Sequence, residues 1–130
     1  MIVDSSVLIA ILKREPGWRE FAKALDEAGQ IFLSAANYVE SAIVVDGWRN
    51  PVLSPQLDEL IEQFNVRIEP VTAEQARLAR QAYRDYGRGS CHPARLNFGD
   101  CFSYALARAK REPILFKGKD FSETDLRSAL

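Results

Sequence analysis

The sequence has little cysteine or histidine, no long apolar run and almost no net charge. Its 130 residues hold two cysteines, Cys91 and Cys101, and one histidine, His92, so a structural zinc site lacks ligands. A chain of this length can bury a core without disulfides. The first apolar run, residues 7–12, is too short for a membrane span or a signal peptide, and no basic leader precedes it. We therefore expect one cytoplasmic domain over residues 1–130, with reduced thiols and no membrane contact.

The net charge of −1 hides a division along the chain. Residues 1–65 carry five Lys or Arg and ten Asp or Glu, whereas residues 66–130 carry twelve and eight. The two halves therefore differ in sign, at −5 and +4. This asymmetry weakly favours a surface that faces a polyanion, because nucleic-acid-binding domains are usually much more basic.

Short apolar runs alternate with helical patterns along the chain, and no internal repeat or linker divides it. Strands are predicted at residues 1–4, 31–33, 66–68 and 114–116. These runs lack internal alternation, which is typical of a parallel sheet buried on both faces. We predict an α/β domain with a short parallel sheet of four or five strands sandwiched between helices.

The helices are predicted from apolar residues three and four apart and from capping residues. They are expected over residues 7–12, from Pro16 to near Gly29, around 38–45, and over 54–64, 72–86, 97–109 and 124–129. In open sheets of this class, ligands bind outside the carboxyl ends of the strands. Functional residues should therefore directly follow strands.

Two aspartates stand at such places. Asp4 follows the first predicted strand, among apolar neighbours where a charge is costly, although it would also suit a helix N-cap. Asp120 lies four residues beyond the last predicted strand, where a solvated turn is the ordinary alternative. We favour a functional role for Asp4, whereas Asp120 taken alone favours the turn.

Two further acids stand near or within predicted helices. Asp100 lies three residues after Asn97, a spacing that a capping box would also produce. Glu40 lies in the most apolar helical stretch, and helical geometry places it beside Ile43 and Val44. There an unpaired carboxylate would be costly, unless it lies at the exposed edge of an amphipathic helix.

Acids that converge without a matching cation repel one another, and a divalent cation relieves that repulsion. Ligation by carboxylate oxygens alone suits Mg²⁺ or Mn²⁺. Such a metal lowers the pKa of a bound water and neutralises charge on phosphorus, so metal-assisted phosphodiester hydrolysis is the natural chemistry. This reaction alone does not separate RNA from DNA.

Basic side chains could meet a nucleic-acid backbone. An arginine stripe on one face of the 72–86 helix and beyond comprises Arg77, Arg80, Arg84 and Arg88. A solvated face is the commoner role of such a stripe. Lys117 and Lys119 are the better candidates, because they neighbour Asp120.

Several motifs together resemble the PIN-domain ribonucleases, and more closely the VapC-type toxins of toxin–antitoxin pairs. They are Met1-Ile2-Val3-Asp4-Ser5-Ser6, Glu40, Leu96-Asn97-Phe98-Gly99-Asp100-Cys101 with Tyr104-Ala105-Leu106-Ala107, and Gly118-Lys119-Asp120-Phe121 with Thr124-Asp125-Leu126. The resemblance implies a single PIN-like domain and an endoribonuclease of a type II toxin–antitoxin system. Its substrate would be a structured or translational RNA such as tRNA. Its partners would be a cognate antitoxin that blocks the acidic pocket and a second copy of the chain in a homodimer.

The resemblance also implies residue roles. Asp4, Glu40 and Asp100 would be the catalytic, metal-binding acids, with Asp120 the fourth. Ser6 stands where the family has a hydroxyl beside the first acid, and Asn97 lies in the motif that precedes Asp100. Asp125 stands where some members carry an additional acid, which leaves its role relative to Asp120 open. Lys119 replaces an asparagine that is common in the family.

Other enzyme classes fit less well. An aspartyl-nucleophile phosphatase would need a second acid at position 6, which is Ser6. A phosphoacceptor receiver domain would need an aspartate after the third strand, and none is there. No P-loop or nucleophile elbow is present. The remaining alternative is a catalytically inactive PIN-like module that binds RNA or protein.

Overall fold

A four-stranded parallel sheet forms the centre of the molecule in a computed structural model that describes all residues 1–130. The strands are β1 (Ile2–Val3), β2 (Ile31–Ser34), β3 (Val66–Glu69) and β4 (Ile114–Leu115), in the spatial order β3-β2-β1-β4. All three pairings are parallel. The α/β class and the parallel sheet are therefore confirmed, with four strands.

Six helices connect the strands. They are α1 (Ser5–Leu12), α2 (Trp18–Glu27), α3 (Ala35–Gly47), α4 (Leu53–Gln63), α5 (Ala73–Tyr86) and α6 (Phe98–Lys110). Short 3-10 turns cover Arg88–Ser90 and Asp120–Glu123. None of the helices is both long enough and apolar enough to cross a membrane.

The sheet separates two apolar cores, because successive residues of a strand point to opposite faces. Ile2 and Ile114 belong to one core, with α5 and α6. Their neighbours Val3 and Leu115 belong to the other, with residues of α1 to α4. Both faces of β1 and β4 are thus covered, which explains why these strands show no alternation of apolar and polar residues.

The strand order indicates where a ligand would bind at the edge of the sheet. From β1 the chain moves to β2 and β3 on one side, and it returns to β4 on the other side of β1. The order therefore reverses between β1 and β4, and such a crevice is where open parallel sheets bind ligands. Asp4 directly follows β1 at this point, and its backbone N–H donates to the carbonyl of Leu115 at 2.9 Å.

The predicted last helix over residues 124–129 is wrong. A 3-10 turn at Asp120–Glu123 is followed by an extended tail that pairs with β4, where Ser128 bridges Ile114 in parallel. The amide of Ile114 donates to Arg127, and the amide of Ala129 donates to Ile114. β4 is the last strand of the sheet, and its unpaired backbone edge thus supplies the hydrogen bonds that a helix would otherwise form internally.

We predict that Leu33→Ala lowers the free energy of unfolding by about 2–5 kcal/mol, because the fully buried side chain of β2 would leave a cavity. Urea denaturation measures this change. The control is Val52→Ala at an exposed position, expected within about 0.5 kcal/mol of wild type. Equal effects of the two substitutions would contradict the placement of Leu33 in the core.

Candidate active site

Five acidic side chains line one cavity of about 340 Å³ at the carboxyl end of the sheet. Four of them are the acids singled out in the sequence, Asp4, Glu40, Asp100 and Asp120, and the fifth is Glu15, which the sequence did not point to. Each of the four comes from a different segment of the chain. Three of the predicted supporting residues, Ser6, Asn97 and Lys117, also line this acidic cavity.

Asp4 caps a helix and also lines the acidic cavity. It is the N-cap of α1, because its Oδ2 accepts a hydrogen bond from the amide of Ser6 at 3.0 Å. The same oxygen accepts from the Ser6 hydroxyl at 2.6 Å, and Oδ1 accepts from the buried Ser103 hydroxyl at 2.6 Å. The capping interpretation and a place in the acidic cavity are therefore compatible.

Asp100 is held by a complete capping box at the start of α6. Its Oδ2 accepts from the Asn97 amide at 2.8 Å, and its own amide donates to Asn97 Oδ1 at 2.9 Å. Burial, followed by repulsion from Asp4, Asp120 and Glu40, raises the pKa of Asp100 to about 7, although the hydrogen bond from Asn97 opposes the shift. The surroundings therefore destabilise the charged form of this carboxylate even though it caps a helix.

Glu40 reaches the acidic cavity from α3. Its Oε2 accepts from the Ser5 hydroxyl at 2.7 Å and from Asn37 Nδ2 at 3.1 Å. The expectation that Glu40 lies on a buried apolar side of the helix with Ile43 and Val44 is wrong, because these side chains are 67% and 40% exposed. The alternative, an exposed edge of an amphipathic helix, is nearer to the structure. α3 packs on the sheet through Val45 instead, so Glu40 lies at an edge of the buried face.

Asp120 is exposed at the first residue of a 3-10 turn and faces the acidic cavity from the segment after β4. That segment is tied to α1, because the Lys117 amide donates to the Ser6 hydroxyl at 3.0 Å. The Lys117 ammonium forms an ion pair with Glu15. Lys119 is exposed and lies outside the cavity lining.

Asp125 is not brought to the acidic cavity. Its carboxylate accepts from the Tyr104 hydroxyl at 2.7 Å and forms an ion pair with Arg108 at 2.7 Å. Burial and the bond to Asp125 raise the pKa of Tyr104. The geometry thus separates the two aspartates: Asp120 faces the cavity, and Asp125 fastens the C-terminal tail to α6.

The donor set fits a hard divalent cation. Carboxylate oxygens surround the acidic cavity without thiol or imidazole, since Cys91, Cys101 and His92 all lie outside its lining. The raised pKa of Asp100 reflects burial first and repulsion from the neighbouring acids second, and a cation would offset both by stabilising the charged carboxylate. In this structure no three of the acids are arranged so that they could together hold a metal ion.

The sequence did not point to three of the polar residues that hold the acids. Ser5, Asn37 and Ser103 each donate to an acid of the cavity. Asn37 lies three residues before Glu40, and Ser103 lies three residues after Asp100, so each shares a helix face with an acid. That spacing was the available signal, but many solvated polar residues show it too.

Comparison with known proteins identifies the fold family. The PIN domain family model matches residues 1–126. The chain belongs to the PIN domain family. Ribonuclease VapC28 of Mycobacterium tuberculosis is 58% identical over 130 residues, which span all of this chain and 98% of that protein. This identity places the PIN domain among the VapC ribonucleases.

Two solved structures have the same fold. The Mycobacterium tuberculosis toxin VapC20, described as cleaving the sarcin–ricin loop, aligns with a TM-score of 0.74 at 20% identity and covers 96% of this chain and 95% of its own. A toxin–antitoxin complex from Klebsiella pneumoniae aligns with a TM-score of 0.68 at 18% identity, over 93% of this PIN domain and 89% of that chain. At these identities the likeness supports the fold alone.

We predict that the stability of the metal-free protein depends on the protonation of Asp100. The carboxyl retains its proton to about pH 7 when folded but loses it near pH 3.8 when unfolded. The folded state binds more protons between these values, so this contribution is complete below about pH 4 and is lost as the pH rises to 7.

Thermal unfolding in a chelator tests this prediction in wild type and Asp100→Asn. The Tm of wild type minus that of the variant should decrease from about pH 4 to pH 7, because the amide does not titrate. A difference that increases with pH would contradict the prediction.

Proposed function

We propose that this PIN domain is a metal-dependent endoribonuclease and the toxin of a type II toxin–antitoxin pair. The observation that carries the proposal is a cavity lined by carboxylates from four segments, in a chain 58% identical to a curated ribonuclease. We also propose that it acts in the cytoplasm, where structured and translational RNAs are found.

Asp4, Glu40, Asp100 and Asp120 are the proposed catalytic residues and the ligands of Mg²⁺ or Mn²⁺. When bound, the metal activates a water for attack on phosphorus and neutralises charge on the phosphate. Two of the acids are positioned beforehand by hydroxyl donors, Asp4 by Ser6 and Ser103, and Glu40 by Ser5. Neutral donors of this kind hold a carboxylate in place without cancelling its charge.

RNA is the proposed substrate, and tRNA or another translational RNA remains the expected class. The arginine stripe is wholly exposed along α5 and just beyond it, as predicted. Lys119 is also exposed and forms no ion pair. We propose that Lys119 contacts a phosphate near Asp120, whereas the Lys117 ammonium already pairs with Glu15.

The proposed protein partners are a cognate antitoxin and a second copy of the chain. A solved structure of similar fold is a toxin–antitoxin complex, which supports the antitoxin. Exposed apolar side chains provide surface for either partner: Val39, Ile43 and Val44 on α3, and Phe98 at the start of α6. An antitoxin segment that covered this surface would also reach the acidic cavity, because Val44 lines both.

The alternative function is a catalytically inactive module that binds RNA or protein. Loss of an acid would mark such a protein. All four acids are present, and each lines the same cavity, so catalysis is the better supported function.

We predict that the purified chain cuts a pool of structured RNA when Mg²⁺ or Mn²⁺ is present and that excess chelator stops cleavage. Asp4→Asn and Asp100→Asn should each reduce the rate by at least about a hundredfold, because each removes a proposed ligand. Gel analysis of cleavage products measures the rate, and circular dichroism verifies the fold of each variant. A folded wild type that binds RNA but never cuts in metal would favour the binding module.

Asp120 and Asp125 should differ in their effects. Asp120→Asn should weaken Mn²⁺ binding and leave Tm nearly unchanged, because the side chain is exposed at the cavity. Asp125→Asn should leave Mn²⁺ binding unchanged and lower Tm by a few degrees, because its bonds to Tyr104 and Arg108 weaken. Calorimetric titration and thermal unfolding measure the two properties, and the reverse pattern would exchange their roles.

A further inference from the structure

Gly99 is the second residue of α6 and lies directly beneath the carboxylate of Glu40. A Cβ at this position would stand 2.0 Å from Glu40 Oε1 and 2.5 Å from its Cδ and Oε2. These separations are far below van der Waals contact. The backbone of Gly99 does not have the left-handed conformation that itself requires glycine. A larger residue here would push the Glu40 carboxylate aside, so glycine leaves room for the carboxylate, although it is less favourable in a helix than alanine.

Asn37 joins the same carboxylate to α6. It is fully buried in α3, and its Nδ2 donates to Glu40 Oε2 at 3.1 Å and to the Gly99 carbonyl at 3.0 Å. Its Oδ1 has no hydrogen-bond partner. Burying this unpaired oxygen is unfavourable, and the side chain is held in place by the two hydrogen bonds of its amide nitrogen.

The two oxygens of Glu40 are left in different states by these contacts. Oε2 accepts from Ser5 and Asn37. Oε1 accepts no hydrogen bond and lies closest to the space above Gly99. The carboxylate is thus held through Oε2, whereas Oε1 has no hydrogen-bond partner that a cation would have to displace.

We infer that Asn37 and Gly99 are positioning residues that hold the Glu40 carboxylate against the first turn of α6 and thereby set the affinity of the site for a divalent cation. Asn37 supplies a donor from below, and Gly99 supplies the space. The inference rests on the proposed function only insofar as the acids bind a cation. It does not depend on whether RNA is the substrate.

The first experiment titrates Mn²⁺ into the RNA-free protein by calorimetry. Gly99→Ala and Asn37→Ala should each weaken binding about tenfold or more, which is the usual effect of removing a group that orients a metal ligand. The matched control is Val45→Ala, which truncates another fully buried side chain of α3 without touching Glu40. It should lower Tm and leave Mn²⁺ affinity within about twofold of wild type.

A double-mutant cycle separates an effect through Glu40 from a general distortion of α6. Glu40→Ala removes the carboxylate, so adding Gly99→Ala to it should change neither Mn²⁺ affinity nor metal-free Tm for the worse. Gly99→Ala alone should lower Mn²⁺ affinity, because the Glu40 carboxylate must move aside. Because it deletes no buried contact, this variant also preserves the test if Asn37→Ala fails to fold.

Three results would overturn the inference. One is wild-type affinity for Mn²⁺ in Gly99→Ala, and the second is an equal loss of affinity on adding Gly99→Ala to Glu40→Ala. The third is a wild-type protein that binds no Mn²⁺. By contrast, a wild type that binds Mn²⁺ and never cuts RNA, with the cycle as expected, would support the inference while the proposed ribonuclease function fails.

Discussion

Mutual repulsion among carboxylates is the constraint around which the functional edge of this protein is built. Four acids share a cavity of about 340 Å³ with Glu15, and the only ammonium in its lining, that of Lys117, is paired with Glu15 and with none of the four. The groups that hold the acids are neutral: hydroxyls, a side-chain amide and a backbone amide. The site therefore keeps its negative potential, which is what a divalent cation and its phosphate ligand require.

Asp100 shows how the same residue can serve the fold and the site. As the acid of a capping box it satisfies the amide of Asn97 and lies at the positive end of the α6 dipole. Burial and three neighbouring acids act against its charge and raise its pKa to about 7. The first turn of α6 fixes the position of the Asp100 carboxylate. In the metal-free state, the unfavourable free energy of that buried carboxylate is offset by the packing of α6 against the sheet, through residues such as Leu106.

Sequence reasoning succeeded where the physics is local and failed where a distant segment decides. The strands and the helix containing Asp100 follow from apolar runs and capping residues. Asp4 and Asp120 stand out by their places after strands and Asp100 by its place beside a cap, whereas Glu40 stands out only as an acid within an apolar helical stretch. The local pattern predicts a helix over residues 124–129, because nothing in it reveals that the edge of β4 is free to pair with them. The sequence predicts apolar surroundings for Glu40, because helical periodicity does not show that the neighbouring Ile43 and Val44 face outwards.

The amino-acid sequence by itself determined the α/β class, the parallel sheet and the family to which the chain belongs, because apolar periodicity, caps and short motifs are properties of neighbouring residues. Tertiary structure alone decided which acids meet. It brought Asp120 to the cavity and sent Asp125 to Tyr104 and Arg108. It also placed Asn37 and Gly99 around Glu40, since contacts across 62 residues depend on how α3 and α6 pack, which no local pattern encodes.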